Sequence, residues 1–444
     1  MAIATGKVRV ELIGLDRGPS NTVVVRIRLV NGGNEPFYPE SVLDWPAADG
    51  VHAAEPSTTQ ARGITLVDTA GGKRYFPLIG AGGGCLCSET LNSIVQPGGS
   101  AEFYAVVPAP PPEVKRISVS VPQTRVFPDV PIGEGPVRPP GGTDPAGAGR
   151  PKILPLISTA EGGDRAVDDG DATRSVRLSS DVLFAVDRAD LSAKAQAVLA
   201  DVARQIDRAA GATVRIDGHT DDTGDDAIND PLSLRRAESV QRALAALVSR
   251  QGVDYRSAGH GSKEPIAGNT SDEGRRRNRR VTVTFSKPPA ARPDGGSRPG
   301  APTNPMSPPR PKAPEVRSLK LGVTELRRSP SGLVNLVWKL TNTGGEQFSS
   351  TTQFTIPVTK VFYYGGASDG TMGVTLYDEA TGMRYYTLRD TQNRCVCNQP
   401  VGRDYRVLPG GTMTHANAYR LPPEVTDITV EFPGYEPTRN VPVS

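Results

Sequence analysis

The sequence predicts a multidomain chain: an α+β domain of order β-α-β-α-β-β, one sheet covered by two helices, inserted between two all-β sandwich modules. Three observations predict it. The chain has 444 residues, enough for roughly three cores at about 150 residues each. Gly63–Cys87 and Gly373–Cys397 align without a gap and share eleven of 25 residues, among them Arg74/Arg384, Tyr75/Tyr385 and both cysteines; this is an internal repeat. Between the copies, alternating apolar residues give way twice to apolar residues three and four apart, as strands and helices in succession require.

Residues 1–132 read as the first module. Val8 and Val10 alternate with charged neighbours, VVVRIRLV at 23–30 is a strong strand, and GITLVD, AEFYAVV and RISVSV follow between Gly and Pro turns, a spacing typical of a sandwich. Residues 133–173, with GEGPVRPPGGTDPAGAGRP and EGGDRAVDDGD, carry too little apolar content to pack and are expected to be a linker. Residues 174–286 form the α+β domain. Leu191, Ala195, Val198, Val202 and Ile206 mark the buried face of its first helix, and Tyr255–Gly259 and Val281–Phe285 supply its later strands.

Residues 287–314 hold ten prolines in 28 residues, a second linker and a stiff spacer. Residues 315–444 repeat the first module: LVNGG answers LTNTGG, both copies carry a Pro-Gly-Gly turn and a PPEV, and VPI answers VPV. The modules look similar to immunoglobulin-like sandwiches of exported bacterial proteins, without a motif that names their family.

Composition excludes several functions. Only 37% of residues are hydrophobic, while Gly and Pro number 48 and 41, which suits β-rich domains and polar connectors. A net charge of +3 is too small to argue for nucleic acid or an anionic membrane. The one local basic cluster, RRRNRR at 275–280, has no interleaved aromatic residues on which bases could stack. No apolar run approaches the ~18 residues needed to span a bilayer. MAIATGKVRVEL has neither the charged start nor the apolar run of an export signal, so a chain that meets a cell wall would have lost its signal or taken another route.

The stretch from Val214 to Leu247 looks like a binding site. Val214 and Ile216 alternate with Arg215 and Asp217, and Gly218 marks where the strand ends. Pro231 after Asp230 reads as the first helical residue behind an N-cap, with Ser233 a second candidate cap and Ala237, Val240, Leu244 and Leu247 at helical spacing. On that reading Arg235 and Arg236 lie in the first turn, against the helix dipole, and need either a nearby carboxylate or another reason. The loop supplies Asp221, Asp222, Asp225 and Asp226. A strand-loop-helix unit puts the end of the strand close to the start of the helix, so Asp221 and Arg236 could flank one small polar pocket, where a carboxylate beside a guanidinium suits a zwitterion. A surface ion pair of little worth is the plainer reading.

The surrounding blocks resemble the OmpA-like family, the peptidoglycan-associated domain also found in Pal and MotB. LFAVDRADLSAKAQAVL around Phe184 is similar to its opening strand and helix, and GHTDDTG to its central loop. Asn229, Leu232, Ser233, Arg236, Ala237 and Val240 fit its N-x-x-L-S-x-x-R-A-x-x-V, and NRRV at Asn278–Val281 closes the match. The resemblance covers about residues 174–286, roughly a quarter of the chain. It implies that Asp221 and Arg236 hold the amino and carboxylate groups of the diaminopimelate in a cell-wall stem peptide. Thr220 and Asn229 would support the loop, and Arg279 or Arg280 would pair with the acidic loop or touch the stem peptide.

All four cysteines lie in two C-x-C units, Cys85 with Cys87 and Cys395 with Cys397. In a strand such residues sit ~6.5–6.8 Å apart, at the edge of disulfide reach, so pairing needs a turn or bulge. Reduced buried thiols and one zinc held by all four are the alternatives, although structural zinc sites space their ligands C-x₂₋₄-C. HTDDTGDD lacks the calcium-loop spacing, so no metal is expected. Nor is a cofactor. G-x-S-x-G and Walker loops are absent, and no enzyme is expected; a wall hydrolase has no motif behind it.

The leading expectation is a non-enzymatic protein of the cell envelope that binds and anchors to peptidoglycan non-covalently, with another envelope protein as a further partner of the β-modules. The rival is a structural connector whose paired sandwiches bind a protein or small ligand.

Overall fold

Val23, Val25, Ile27 and Leu29, alternate residues of one strand, are all fully buried. Each buried side chain of this size contributes about 1.5–3 kcal/mol, and the alternation turns one face of the strand toward the core. The computed structural model describes residues 7–43, 60–135, 137–140, 144–185, 188–287, 309–312, 317–349, 371–398 and 406–444.

The first module contains β1 (Val8–Gly18), β2 (Thr22–Asn31), a short helix α1 (Glu40–Leu43), β3 (Thr65–Asp68), β4 (Lys73–Tyr75), β5 (Ser100–Pro108), β6 (Arg116–Ser120) and β7 (Phe127–Pro131). β1, β2 and β5 form one antiparallel sheet; β4, β3, β6 and β7 pair in that order in another. Their shared core joins Val25 and Phe103 to Leu66 and Val119.

The middle of the chain holds β8 (Ile153–Glu161), β9 (Arg165–Asp169), β10 (Thr173–Ser179), α2 (Ser180–Leu183), α3 (Ala193–Asp207), β11 (Thr213–His219), α4 (Asp226–Leu247), β12 (Asp254–Gly259), α5 (Asp272–Asn278) and β13 (Arg280–Ser286). The sheet order is β12-β11-β13-β10-β9-β8, parallel only between β11 and β12. α3 starts at Ser192, whose hydroxyl accepts from the Ala195 N–H. It buries Ala195, Leu199, Val202 and Ile206, while Leu191 and Val198 lie half-buried at the edge.

The second module repeats the first with β14 (Leu319–Arg328), β15 (Leu333–Asn342), β16 (Phe348–Ser349), β17 (Thr375–Asp378), β18 (Met383–Tyr385), β19 (Arg389–Asp390), β20 (Arg406–Val407), β21 (Thr412–Arg420), β22 (Asp427–Glu431) and β23 (Thr438–Pro442). The copies match in detail. Asn31 donates to the Glu35 and Val95 carbonyls, and Asn342 to those of Glu346 and Val407. Arg17 donates to Pro110 and Val114, and Arg328 to Leu421 and Val425.

Residues 133–173, expected to be a linker, are not one. β8 pairs on one edge with β4 of the first module, Arg74 opposite Leu154, and further along with β9. Its other edge pairs with β19 and β18 of the second module, Asp390 opposite Leu156 and Tyr385 opposite Ala160. The strand joins all three parts into one continuous sheet. The low apolar content belongs to the flanks of β8, whereas β8 itself reads ILPLISTAE and buries Leu156; its backbone is paired on both sides by strands that are mostly far away in sequence.

A small apolar cluster of Val67, Val126, Leu156, Leu333, Leu388, Val396 and Ala418 adds packing between the two modules. Most of the second expected linker lies outside the described residues, but Pro311 bridges to Tyr435 and Lys312 donates its N–H to the Gly434 carbonyl, so residues 311 and 312 lie against the second module.

Candidate functional site

β11 and β12 end side by side beneath α4, with Gly218 opposite Gly259. A Cβ on Gly218 would lie 2.1 Å from the Ser233 carbonyl oxygen, and one on Gly259 would lie 2.5 Å from the Leu234 nitrogen. Both glycines are therefore required for the helix to sit this close, and that approach places the β11–α4 loop at the helix start.

The helix begins earlier than expected. Asp225 is its N-cap and accepts from the Ile228 N–H at 3.0 Å, so Pro231 lies inside the helix and Arg235 and Arg236 fall in the third turn rather than the first. The helix dipole therefore does not act on the two arginines, because the effect fades beyond the first turn. An acidic cap at Asp225 outcompetes Pro231 as a start, at the cost of the one backbone hydrogen bond that proline cannot donate. Leu247, expected on the buried face, is 42% exposed.

Asp221 and Arg236 are both nearly buried, at 7% and 5% exposure. Asp221 accepts from the Thr223 N–H at 3.1 Å on one oxygen and from Arg279 Nη1 at 2.7 Å on the other. Arg279 also grips Asp181 with Nε and Nη2, at 2.9 and 2.7 Å. Two carboxylates thus share one guanidinium, which leaves the group one net negative charge. Hydrogen bonds to Asp181, and after them to Asp221, push Arg279 up from its ordinary value.

Arg236 donates Nε to the Arg188 carbonyl at 3.0 Å, and its guanidinium lies over the Phe184 ring at 5.3 Å. The aromatic face sets the plane of the fork. Asn229 holds the loop by donating to the Thr223 carbonyl at 3.1 Å. Thr220 is fixed by its N–H to the Gly261 carbonyl, and its buried hydroxyl has no partner among the described residues. Val186 and Asp187 of the Phe184 block lie outside the described residues.

Arg280 is a correction. Its guanidinium donates to the Asn278 and Glu264 carbonyls, and it faces His219 across the strand pair. Arg279 is the residue at the acidic loop. The alternation was a usable signal: Val281, Val283 and Phe285 face the helices, so Arg279, in step with them, belongs on that side.

His219, His260 and Glu264 are close enough to suggest a cation site, but the donors do not fit one. The two imidazoles are stacked with centroids 4.9 Å apart and 14° between planes, so their in-plane lone pairs run alongside each other instead of converging. His260 faces Asp217 and Glu264 at 3.1 and 3.2 Å. Burial, then the neighbouring Arg280 charge, pulls His219 down to about 3. The cysteines pair within each unit, Cys85 with Cys87 and Cys395 with Cys397, their Cα atoms 5.3 Å apart in both, which is shorter than an extended strand allows and within ordinary disulfide reach.

Among the described residues no helix is long and apolar enough to cross a membrane. Residues 183–279 match the OmpA family. Outer membrane protein Omp38 of Acinetobacter baumannii is 35% identical over 114 residues, 26% of this chain and 32% of that protein. YfiB of Escherichia coli is 36% identical over 114 residues, 26% of this chain and 71% of that protein. Peptidoglycan-binding protein ArfA of Mycobacterium tuberculosis is 39% identical over 105 residues, 24% of this chain and 32% of that protein. The chain thus spans about a third of the length of Omp38 and ArfA. Among solved structures, the cell wall anchor of the T6SS from Pseudomonas aeruginosa is similar at 32% identity over 28% of this chain and 88% of that one, with a TM-score of 0.26. Through residues 183–279, the chain belongs to the OmpA family.

Proposed function

We propose that this protein anchors to the cell wall by gripping peptidoglycan non-covalently at the Asp221–Arg236 site. The observation that carries the reading is a nearly buried carboxylate and a nearly buried guanidinium presented by the loop and helix of one unit, in a chain whose relatives include a protein named for peptidoglycan binding. The ligand is the zwitterionic end of a stem-peptide diaminopimelate. Its ammonium goes to Asp221, where the surplus negative charge of the Asp181–Arg279–Asp221 group favours a cation. Its carboxylate goes to Arg236, whose planar fork suits two parallel hydrogen bonds.

Each charged contact contributes about 1.5–3 kcal/mol. One site is therefore weak, and retention comes from many copies on one wall. The joined sheet makes the two modules a platform fixed to the wall-binding unit, where another envelope protein can dock. Sedimentation with purified peptidoglycan tests the proposal. The parent should pellet with the wall, and Asp221→Ala and Arg236→Ala should stay in the supernatant while unfolding at close to the parent's temperature. Folded variants that pellet like the parent would replace this reading with that of a connector that no longer binds wall.

A further inference from the structure

α5 has seven residues, too few to be stable without tertiary support, and it leads directly into Arg279. Much of its support comes from outside the OmpA-family unit. Arg277 forms an ion pair with Glu161, the last residue of β8, at 2.8 Å. Tyr386 of the second module donates its hydroxyl to the other oxygen of that carboxylate at 2.9 Å. Arg276 donates to the Gly163 carbonyl in the β8–β9 turn at 3.3 Å. Glu161 is itself held in register, opposite Arg384 of β18.

Tyr386 is 7% exposed, and the Arg277 and Glu161 side chains are 16% and 19% exposed. Partial burial makes such a cluster stronger than a surface pair. Burial and the Glu161 charge raise the Tyr386 phenol, so it remains a donor at any working pH. On its far side the helix is fixed by fully buried Asn278, which accepts from the Ile266 and Ala267 N–H groups.

We propose that the second β-module sets the geometry of the wall-binding site: Tyr386 and Glu161 are positioning residues that hold Arg277, hence α5, and so place Arg279 on Asp221. A shift at Arg277 reaches Arg279 two residues later, because the last turn moves as a unit while Asn278 acts as its pivot. The inference rests on the reading of Asp221 as the ammonium contact, but the coupling itself is a property of the ligand-free chain.

Two measurements on the full chain test it. The first is the Arg279 Nε–H resonance without ligand, which should move in Glu161→Gln and, less, in Tyr386→Phe, while both variants unfold at close to the parent's temperature. The second is sedimentation with purified peptidoglycan, where Glu161→Gln should bind about five- to tenfold more weakly. In an Arg279→Ala background the same change should add nothing, since coupled residues are not additive. An unmoved resonance, or a loss that persists at full size without Arg279, overturns the proposal. If the parent itself does not pellet, the wall-binding reading has failed rather than the coupling, and the resonance alone decides: a shift sustains the coupling and no shift overturns it.

Discussion

Arg74 and Arg384 occupy the same place in the same strand of the two modules, opposite Val67 and Tyr377, yet they have opposite surroundings. Arg74 is fully buried. It crosses to the second module, donating to the Arg394 and Cys395 carbonyls at 3.5 and 3.2 Å with Asp390 at 3.7 Å. Arg384 is 39% exposed and is bound by both oxygens of Glu431, at 2.6 and 2.9 Å. The partners account for the difference. Asp390 and Arg394 align with Gly80 and Gly84 in the repeat, so only one module offers a charged loop, and only the other sends an arginine to it. The copies keep the devices that build each module and differ where they face each other.

The largest effect should come from removing the buried arginine. Arg74→Ala leaves Asp390, itself fully buried, with the Arg394 guanidinium as a charged partner beside the Gln392 and Arg394 N–H groups, and should cost about 3 kcal/mol, the lower end for a broken buried pair. Chemical denaturation measures it. A cost under about 1 kcal/mol would place both arginines in one class and break the comparison.

A second contrast lies in the cores. Ile27 faces Phe103 in the first module, whereas Trp338 faces His415 in the second, with the rings stacked 4.4 Å apart. Burial pulls His415 down from 6.5 to about 3. Because the folded value is the lower one, this stability is fully present above about pH 6.5 and is lost as pH falls toward 3, at about 1.4 kcal/mol per unit. Between pH 7 and pH 5 the second module should lose roughly 2 kcal/mol, and His415→Phe should remove that share. His219, also at about 3, imposes the same trend on the middle unit. A His415→Phe protein with the parent's full acid sensitivity would contradict the assignment.

The smallest effect is expected of Arg384→Ala. Its pair with Glu431 is well formed but partly exposed, and screening limits it to about 0–1 kcal/mol. A cost equal to that of Arg74→Ala would erase the distinction from the other side.

What could be read from the sequence followed local rules. The repeat, the helix face from Ala195 to Ile206 and the strands at 254–259 and 280–286 are periodic patterns whose meaning does not depend on distant residues. Asp221 and Arg236 could be singled out by motif, and both are nearly buried. β8 could not be read, because its stability comes from the edges of β4, β18 and β19, and nothing within 153–161 declares which strands will be adjacent. The start of α4 was misplaced because Pro231 is a good first helical residue, and Asp225 is a better cap. Arg279 was available from the alternation of β13, while its bridge to Asp181 was not, since Asp181 lies on another element 98 positions away.

The claim that the site reads a zwitterion is tested most directly by competition. A soluble stem peptide carrying diaminopimelate should displace the parent protein from purified peptidoglycan at least about tenfold better than the same peptide with lysine in its place, since the two differ by the one carboxylate that Arg236 is assigned to hold. In Arg236→Lys that preference should shrink or vanish, because an ammonium cannot reproduce the fork. Equal displacement of the parent by both peptides would contradict the account.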